Sequence, residues 1–336
     1  MKAIVYTEYG PPDVLQLKEV EKPAPKDDEV LIRIHATSVN FGDIAARNYG
    51  NISHRDFFMP LPFYLIGGLQ FGFSRPKNTI LGNELAGEIE AVGKDVTSFK
   101  PGDQVFGYPG PQMRCHAEYR CLPADGPLGM KPANMSYEEA AVVPYSALMA
   151  IDLLRKIDIQ SGQQVLINGA SGGIGSGVLQ LAKHYGAEVT AVCSTPRMDF
   201  VKALGADKVI DYTKEDFTQT GETYDLIVDV LGKSSFSQSK DSLKEAGKYV
   251  MTSFKMRDFV DMFQTSLGGG KKAICVILAA KPKDLVLTRE LVEAGELKAV
   301  IDKSFPLEQT ADAHRYVESG QKKGNVVITV EHSSKT

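Results

Sequence analysis

Val165-Leu166-Ile167-Asn168 is a short, mostly apolar run, and Gly169-Ala170-Ser171-Gly172-Gly173-Ile174-Gly175 follows it directly. An apolar periodicity then continues through Val178, Leu179, Leu181 and Ala182. The order is that of a buried strand, a glycine turn and a helix start. In such a turn Gly172 lets the backbone approach a pyrophosphate, Gly175 permits close helix-to-strand packing, and the helix N-terminus offers unpaired N–H groups to the anion. The stretch is a candidate dinucleotide site. Ala170 holds the first glycine position of G-x-G-x-x-G, and an ordinary tight turn between strand and helix is the alternative.

The identity of the dinucleotide rests on the next strand. An acidic side chain about 20 residues on would take the ribose 2′-OH of NAD. Here Glu188-Val189-Thr190-Ala191-Val192-Cys193 runs into Ser194-Thr195-Pro196-Arg197, with no carboxylate at its end. Two hydroxyls and a guanidinium suit a 2′-phosphate, so Ser194, Thr195 and Arg197 point to NADPH. Otherwise Arg197 is a solvated residue at a helix start.

These residues need a frame. A chain of 336 residues with 43% apolar and 24% charged residues has room for two ordinary domains and a sizeable core. A net charge of −4 without a basic stripe argues against nucleic acid as a partner. Met1-Lys2-Ala3-Ile4-Val5-Tyr6 enters a strand without a leader-like apolar run, which suggests a cytoplasmic protein. Cys115, Cys121, Cys193 and Cys275 lack metal-ligand spacing and fit free thiols in a reducing compartment.

Residues up to about 150 alternate short strand-like runs with Gly, Pro and Asp punctuation, as in a β-barrel-like domain. From Gln163 strands and helices alternate, with strands at 163–168, 187–193, 207–211 and 224–230, and two more near 247–253 and 273–279. Their near-continuous apolar character implies a parallel, doubly wound sheet. A helix over Asp284–Ala294, a strand near 299–305, a helix near 308–319 and a closing strand from Asn325 to Val330 follow.

Several markers then occur in order: Gly82-Asn83-Glu84-Leu85-Ala86-Gly87-Glu88-Ile89, Val92-Gly93, Phe99-Lys100-Pro101-Gly102-Asp103-Gln104-Val105, the Gly169–Gly175 turn and Gly324-Asn325-Val326-Val327. Together they resemble the medium-chain dehydrogenase/reductase superfamily over nearly the whole chain. The resemblance implies an α/β chain in which a Rossmann doubly wound parallel sheet domain, 149–280, is inserted in a GroES-like β-barrel catalytic domain, 1–148 plus 281–336. It implies a homodimer as the common assembly, and Asn325 joins the expected cofactor contacts.

The departures from that pattern concern zinc. Where zinc-dependent members carry a Cys and the His of Gly-His-Glu, this chain has Asn40 and Asn83. Amides are poor replacements for thiolate and imidazole at Zn2+, so no metal is expected. His116 is expected to be a surface or hydrogen-bonded residue. Without a Lewis acid, hydride must go to an acceptor that delocalises the developing charge, such as a quinone or an α,β-unsaturated carbonyl. The pattern is similar to the zinc-independent quinone oxidoreductase-like branch, which implies that Asn40 donates to the oxyanion or meets the nicotinamide and that Tyr212 lies beside the adenosine. Asn40 read alone is equally a loop amide capping its own backbone. Ala45 stands where some relatives place a Tyr, which leaves Tyr49 or water as the proton source. Asp43 is a loop anchor or a site residue.

Three stretches stay open. The uncharged run 57–73 is a loop packed on its own core, an apolar lid over a hydrophobic acceptor or a membrane-touching patch; Pro60, Pro62 and a Gly pair argue against a transmembrane helix. Gly268-Gly269-Gly270-Lys271-Lys272 is a phosphate loop or a connection into an edge strand where a dimer partner pairs. Leu231-Gly232 passes by the nicotinamide or is a plain turn. The leading expectation is NADPH-dependent reduction of a quinone or activated carbonyl compound. Enoyl-thioester or enone reduction, a non-enzymatic NADPH sensor and, third, a zinc alcohol dehydrogenase are the rivals.

Overall fold

The computed structural model describes residues 1–57, 59–277 and 281–332. The chain divides into two compact units, Met1–Ser53 with Ile66–Tyr145 and Ala280–Thr336, and His54–Leu65 with Ser146–Ala279. In the first unit, β1 (Lys2–Val5) and β2 (Gln16–Glu19) form an antiparallel pair. β3 (Glu29–Val39), β4 (Leu85–Val92), β5 (Gln104–Gly107), β6 (Tyr119–Pro123) and β7 (Leu128–Met130) follow. The second unit contributes β8 (Gln164–Asn168), β9 (Glu188–Cys193), β10 (Lys208–Asp211), β11 (Tyr224–Asp229), β12 (Leu243–Met251) and β13 (Lys272–Cys275). β14 (Ile301–Pro306) and β15 (Asn325–Thr329) belong to the first unit again.

β3 organises the first unit. Its N-terminal half pairs with β6, its C-terminal half with β15, and β4 runs along its other edge. Strands on both edges explain why β3 is buried along most of its length. Ile32 and Ile34 enter one core with Leu85, Ile89, Val105, Val326 and Ile328. Thr37 of β3 pairs with Leu85 of β4, so the end of β3 and the start of β4 lie together. That register carries Asn40, just past β3, alongside Asn83 and Glu84, just before β4.

The second unit is a parallel sheet in the order β10-β9-β8-β11-β12-β13. Numbered from its own first strand this is 3-2-1-4-5-6, whose direction of growth reverses between β8 and β11. Ligands of open α/β sheets bind beyond the carboxyl ends of the strands at that reversal. Asn168 and Asp229 end these two strands in register. The glycine turn and the Leu231-Gly232 turn therefore leave the sheet side by side.

The run 57–73 is not a loop. Leu61–Phe71 is a helix, with Phe58 of the run outside the described residues. Pro60 precedes it and Pro62 sits in its first turn, where no intrahelical N–H bond is lost. Residues 54–65 also leave the expected continuous 1–148 block for the second unit. Phe63 packs on Phe254 and Phe259, at ring distances of 6.2 and 6.5 Å, and the Lys255 ammonium binds the carbonyls of Arg55 and Phe57. The last strand of the sheet is shorter than the expected 273–279, and positions 278–279 lie outside the described residues.

Candidate functional site

The helix Gly173–His184 follows β8 through the glycine turn, with Gly172 as its N-cap and no side chain occupying the cap position. The first N–H groups of a helix have no carbonyl within it to bind, so those of Gly173, Ile174 and Gly175 are available to an anion. Gly169 has φ +90°, and a Cβ there would lie 2.6 Å from Leu231 Cγ. A Cβ at Gly175 would lie 2.1 Å from the Gly169 carbonyl oxygen, which only glycine avoids. At Gly172 the nearest atom to a Cβ is that same oxygen at 3.6 Å, which leaves the approach open. Ala170 and Ser171 are buried under the turn. These residues fit a dinucleotide pyrophosphate.

Beside the turn, Asp229 is fully buried. Its Oδ1 accepts from Asn168 Nδ2 at 3.2 Å and from the backbone N–H groups of Leu231 and Gly232, both at 3.0 Å. Its Oδ2 accepts from the Ser234 N–H at 3.1 Å and the Tyr249 hydroxyl at 3.0 Å. Asp229 is assigned no role from the sequence alone. Its signal was a carboxylate ending a buried apolar strand.

At the expected 2′ end two threonines meet a carboxylate. Thr195 donates its hydroxyl to Asp211, which also accepts from the backbone N–H and hydroxyl of Thr213 at 3.0 and 2.7 Å. The bonds from Thr195 and Thr213 hold the Asp211 carboxyl down at about 2. Asp211 ends β10 opposite Cys193, and both its oxygens are taken up by the two threonines rather than left for a ribose hydroxyl. Ser194 and Arg197 flank it, and Tyr212 is exposed next to it.

In the first unit Asn40 is the N-cap of the helix Phe41–Arg47. Its Oδ1 accepts from the Gly42 N–H at 2.9 Å and Asn83 Nδ2 at 3.0 Å, while its Nδ2 donates to Asn83 Oδ1 at 2.5 Å and Glu84 Oε1 at 3.1 Å. The two positions that would carry zinc ligands are thus a reciprocal amide pair. Among the described residues no group of three or more His, Cys, Asp or Glu could hold a metal ion. Amide side chains turned toward each other offer neither thiolate nor imidazole, so these residues do not fit zinc.

Two buried carboxylates hold this pair. Asp43 accepts from the N–H groups of Asn40 at 3.0 Å and Gly82 at 2.9 Å, which makes it the loop anchor. Glu84, which sequence reasoning passed over inside its motif, accepts from the Ser38 hydroxyl at 2.6 Å, Asn40 Nδ2 at 3.1 Å and the Tyr145 N–H at 2.8 Å. Every such partner donates, which favours the ionised form. Burial is the stronger influence and pushes both carboxyls up to about 7.

Tyr49 is only 1% exposed, with its ring against Tyr9 and Phe71 at 6.4 and 5.7 Å. Asn325 opens β15 and donates its amide to the Val300 carbonyl at 3.2 Å. His116 is not on the surface: it is fully buried, with Nε2 2.9 Å from the Ser38 carbonyl oxygen, and burial lowers it to about 4. The 268–272 run is a connection into β13, and its lysines bind the backbone carbonyls of Lys240 and Thr265 at 2.7 and 2.6 Å. The helix Leu61–Phe71 exposes Leu65, Ile66 and Leu69 by 48%, 58% and 68%, on one arc of its surface. Among the described residues no helix is long and apolar enough to cross a membrane.

The chain thus combines a doubly wound sheet with a glycine turn at its reversal and a separate unit built on a central antiparallel strand. The chain matches an alcohol dehydrogenase GroES-like domain over residues 26–152 and a zinc-binding dehydrogenase family over residues 204–328. It is 34% identical to a 2-methylene-furan-3-one reductase of Solanum lycopersicum and 33% identical to an NADPH-dependent alkenal/one oxidoreductase, chloroplastic, of Arabidopsis thaliana, in each case over 98% of this chain and 79% of that protein. The quinone oxidoreductase of Coxiella burnetii superposes with a TM-score of 0.85 at 30% identity, over 98% of this chain and 99% of that one. The chain belongs to the medium-chain dehydrogenase/reductase superfamily, in its quinone oxidoreductase-like branch. It is an oxidoreductase, which sets aside the non-enzymatic sensor.

A carboxyl whose value lies above its ordinary range binds its proton more tightly in the folded chain than in the unfolded one. The stability that Asp43 and Glu84 contribute is therefore full below the ordinary carboxylate range and is lost as pH rises to about 7. Thermal midpoints across that interval are expected to fall less steeply for Glu84→Gln than for the wild type, and parallel profiles would contradict the assignment.

Proposed function

We propose that this chain is an NADPH-dependent, zinc-independent reductase acting on a conjugated acceptor, either a quinone or an α,β-unsaturated carbonyl compound. The observation that carries the reading is the glycine turn at the sheet's reversal point, with a helix N-terminus open to a pyrophosphate. NADPH would supply the hydride. Gly169 to Gly175 would hold its pyrophosphate, Leu231 the nicotinamide side, Tyr212 the adenosine, and Ser194 with Arg197 the 2′-phosphate. Thr195, whose hydroxyl donates to Asp211, would join that set by exchanging this bond for the phosphate.

An acceptor that takes hydride without a metal must place its growing negative charge on an oxygen stabilised by donors. Asn40 is the proposed donor. Both its amide protons are engaged, and the longer bond, 3.1 Å to Glu84, is the one to exchange for the acceptor oxygen. The names of the tomato and Arabidopsis relatives favour conjugated enones and alkenals, and that of the Coxiella relative favours quinones. Burial of Tyr49 favours water over this tyrosine as the proton source. The four free thiols support a reducing compartment, and the cytoplasm is the proposed location.

Steady-state oxidation of NADPH and NADH, measured in chelator with small and alkyl-substituted quinones and enones, tests the reading. Acceptor-dependent turnover preferring NADPH is expected. Arg197→Ala should lower kcat/KM for NADPH by about tenfold or more, as loss of a bond to a charged group implies, and leave that for NADH near wild type. An equal loss with both nucleotides contradicts the 2′-phosphate assignment.

A homodimer is proposed on separate grounds. Among the described residues β13 ends the sheet with one edge unpaired, and the adjoining helix Met256–Ser266 carries an apolar stripe continued by Leu267. Met256, Val260, Phe263 and Leu267 are 57%, 49%, 64% and 75% exposed at helical spacing. Analytical ultracentrifugation should show a dimer for the wild type and a shift to monomer for Phe263→Glu; a monomeric wild type rejects the proposal.

A further inference from the structure

We propose that Asp229 is a positioning residue for the nicotinamide half of the dinucleotide, because its one carboxylate fixes the turn after β11 against the turn after β8. The proposal rests on the dinucleotide reading above and extends it to a residue that touches no part of the ligand.

The two turns leave adjacent parallel strands in register, Asn168 opposite Asp229. Between them, the Val230 N–H donates to the Asn168 carbonyl at 3.2 Å, and Gly169 must lack a side chain because Leu231 Cγ and Val230 Cγ2 stand 2.6 and 2.8 Å from where a Cβ would be. Asp229 closes the joint. On the β8 side it binds the Asn168 amide, which immediately precedes the glycine turn. On the β11 side it gathers the N–H groups of Leu231, Gly232 and Ser234 into one loop, and Tyr249 of β12 braces it from beneath. The loop holds Leu231 46% exposed at the sheet's reversal point, as an apolar face for a flat ring.

The donors also dictate what a substitution does. A carboxylate offers about four lone-pair sites, and five donors share them, three at Oδ1 and two at Oδ2. Asparagine has the same shape but one oxygen fewer. Placed at the Oδ1 position its NH2 would oppose Asn168, Leu231 and Gly232, so the NH2 takes the Oδ2 position. There the Tyr249 hydroxyl can turn and accept, but the Ser234 N–H cannot. Asp229→Asn therefore keeps the glycine turn anchored and releases the far end of the Leu231 loop. The pyrophosphate and the 2′-phosphate keep their sites, and only the nicotinamide half loses its support.

The test is titration of the full-length protein with NADPH and, separately, with 2′,5′-ADP, which carries the adenosine half alone. Wild type binding both ligands, with Asp229→Asn weakening NADPH by about tenfold and leaving 2′,5′-ADP within about twofold, is the expected result. Tyr249→Phe, which removes the brace and spares every loop N–H, should shift NADPH in the same direction by less and also spare 2′,5′-ADP. This second variant keeps the question open to measurement if Asp229→Asn does not fold. Equal weakening of both ligands would mean a merely structural carboxylate and overturn the proposal, as would unchanged NADPH binding in Asp229→Asn. Failure of the wild type to bind either ligand would instead remove the dinucleotide reading, and the proposal with it.

Discussion

Three buried carboxylates, Asp43, Glu84 and Asp229, are each answered by N–H or O–H donors drawn from turns. A carboxylate taken out of water is costly unless its lone pairs are met. The backbone around each one is consequently drawn into a single shape. Asp43 closes the turn from Asn40 to the Gly82 N–H, Glu84 ties the end of β3 to the start of the helix Pro144–Ile157, and Asp229 ties β8 to the loop beyond β11. Removing a donor from such a centre leaves a buried oxygen without a partner, which is what ties each turn to its carboxyl group.

Sheet order decides where that rigidity is useful. Because β8 and β11 are neighbours whose following segments diverge, the Gly169–Gly175 turn and the Leu231 loop emerge together at the carboxyl end of the sheet. Glycine at 169 and 175 lets the helix start, the strand end and the neighbouring loop share a space that side chains would fill. In the first unit, the register of β3 on β4 does the equivalent job for Asn40, Asn83 and Glu84. There the reciprocal amide pair occupies positions that a zinc site would need for thiolate and imidazole, and it leaves Asn40 with a long bond to Glu84 that can be exchanged.

The glycine turn, the parallel strands and the two asparagines were legible in the sequence because local pattern determines each of them: a strand followed by Gly172 and Gly175, continuous apolar runs, and residue identity inside a short motif. What escaped depends on partners distant in sequence. Asp211 reaches Thr195 from the neighbouring strand, so inspecting the end of β9 alone could not find the carboxylate beside it. The helix Leu61–Phe71 was hidden by its own prolines, which mark a helix start when they fall in the first turn and an interruption anywhere else. Tyr49 looked available from its place near the Asn40 loop, and only the packing of Tyr9 and Phe71 around its ring shows it buried.

The central claim is that the bound nucleotide passes hydride directly to a conjugated acceptor with no metal taking part. Single-turnover rates with NADPH deuterated at one or the other face of nicotinamide C4, in the presence of a chelator, test it most directly. A primary isotope effect from one face and none from the other, at a rate the chelator does not change, is the predicted result. Turnover that stops in chelator and returns with added zinc, or that shows no isotope effect from either face, would contradict the account.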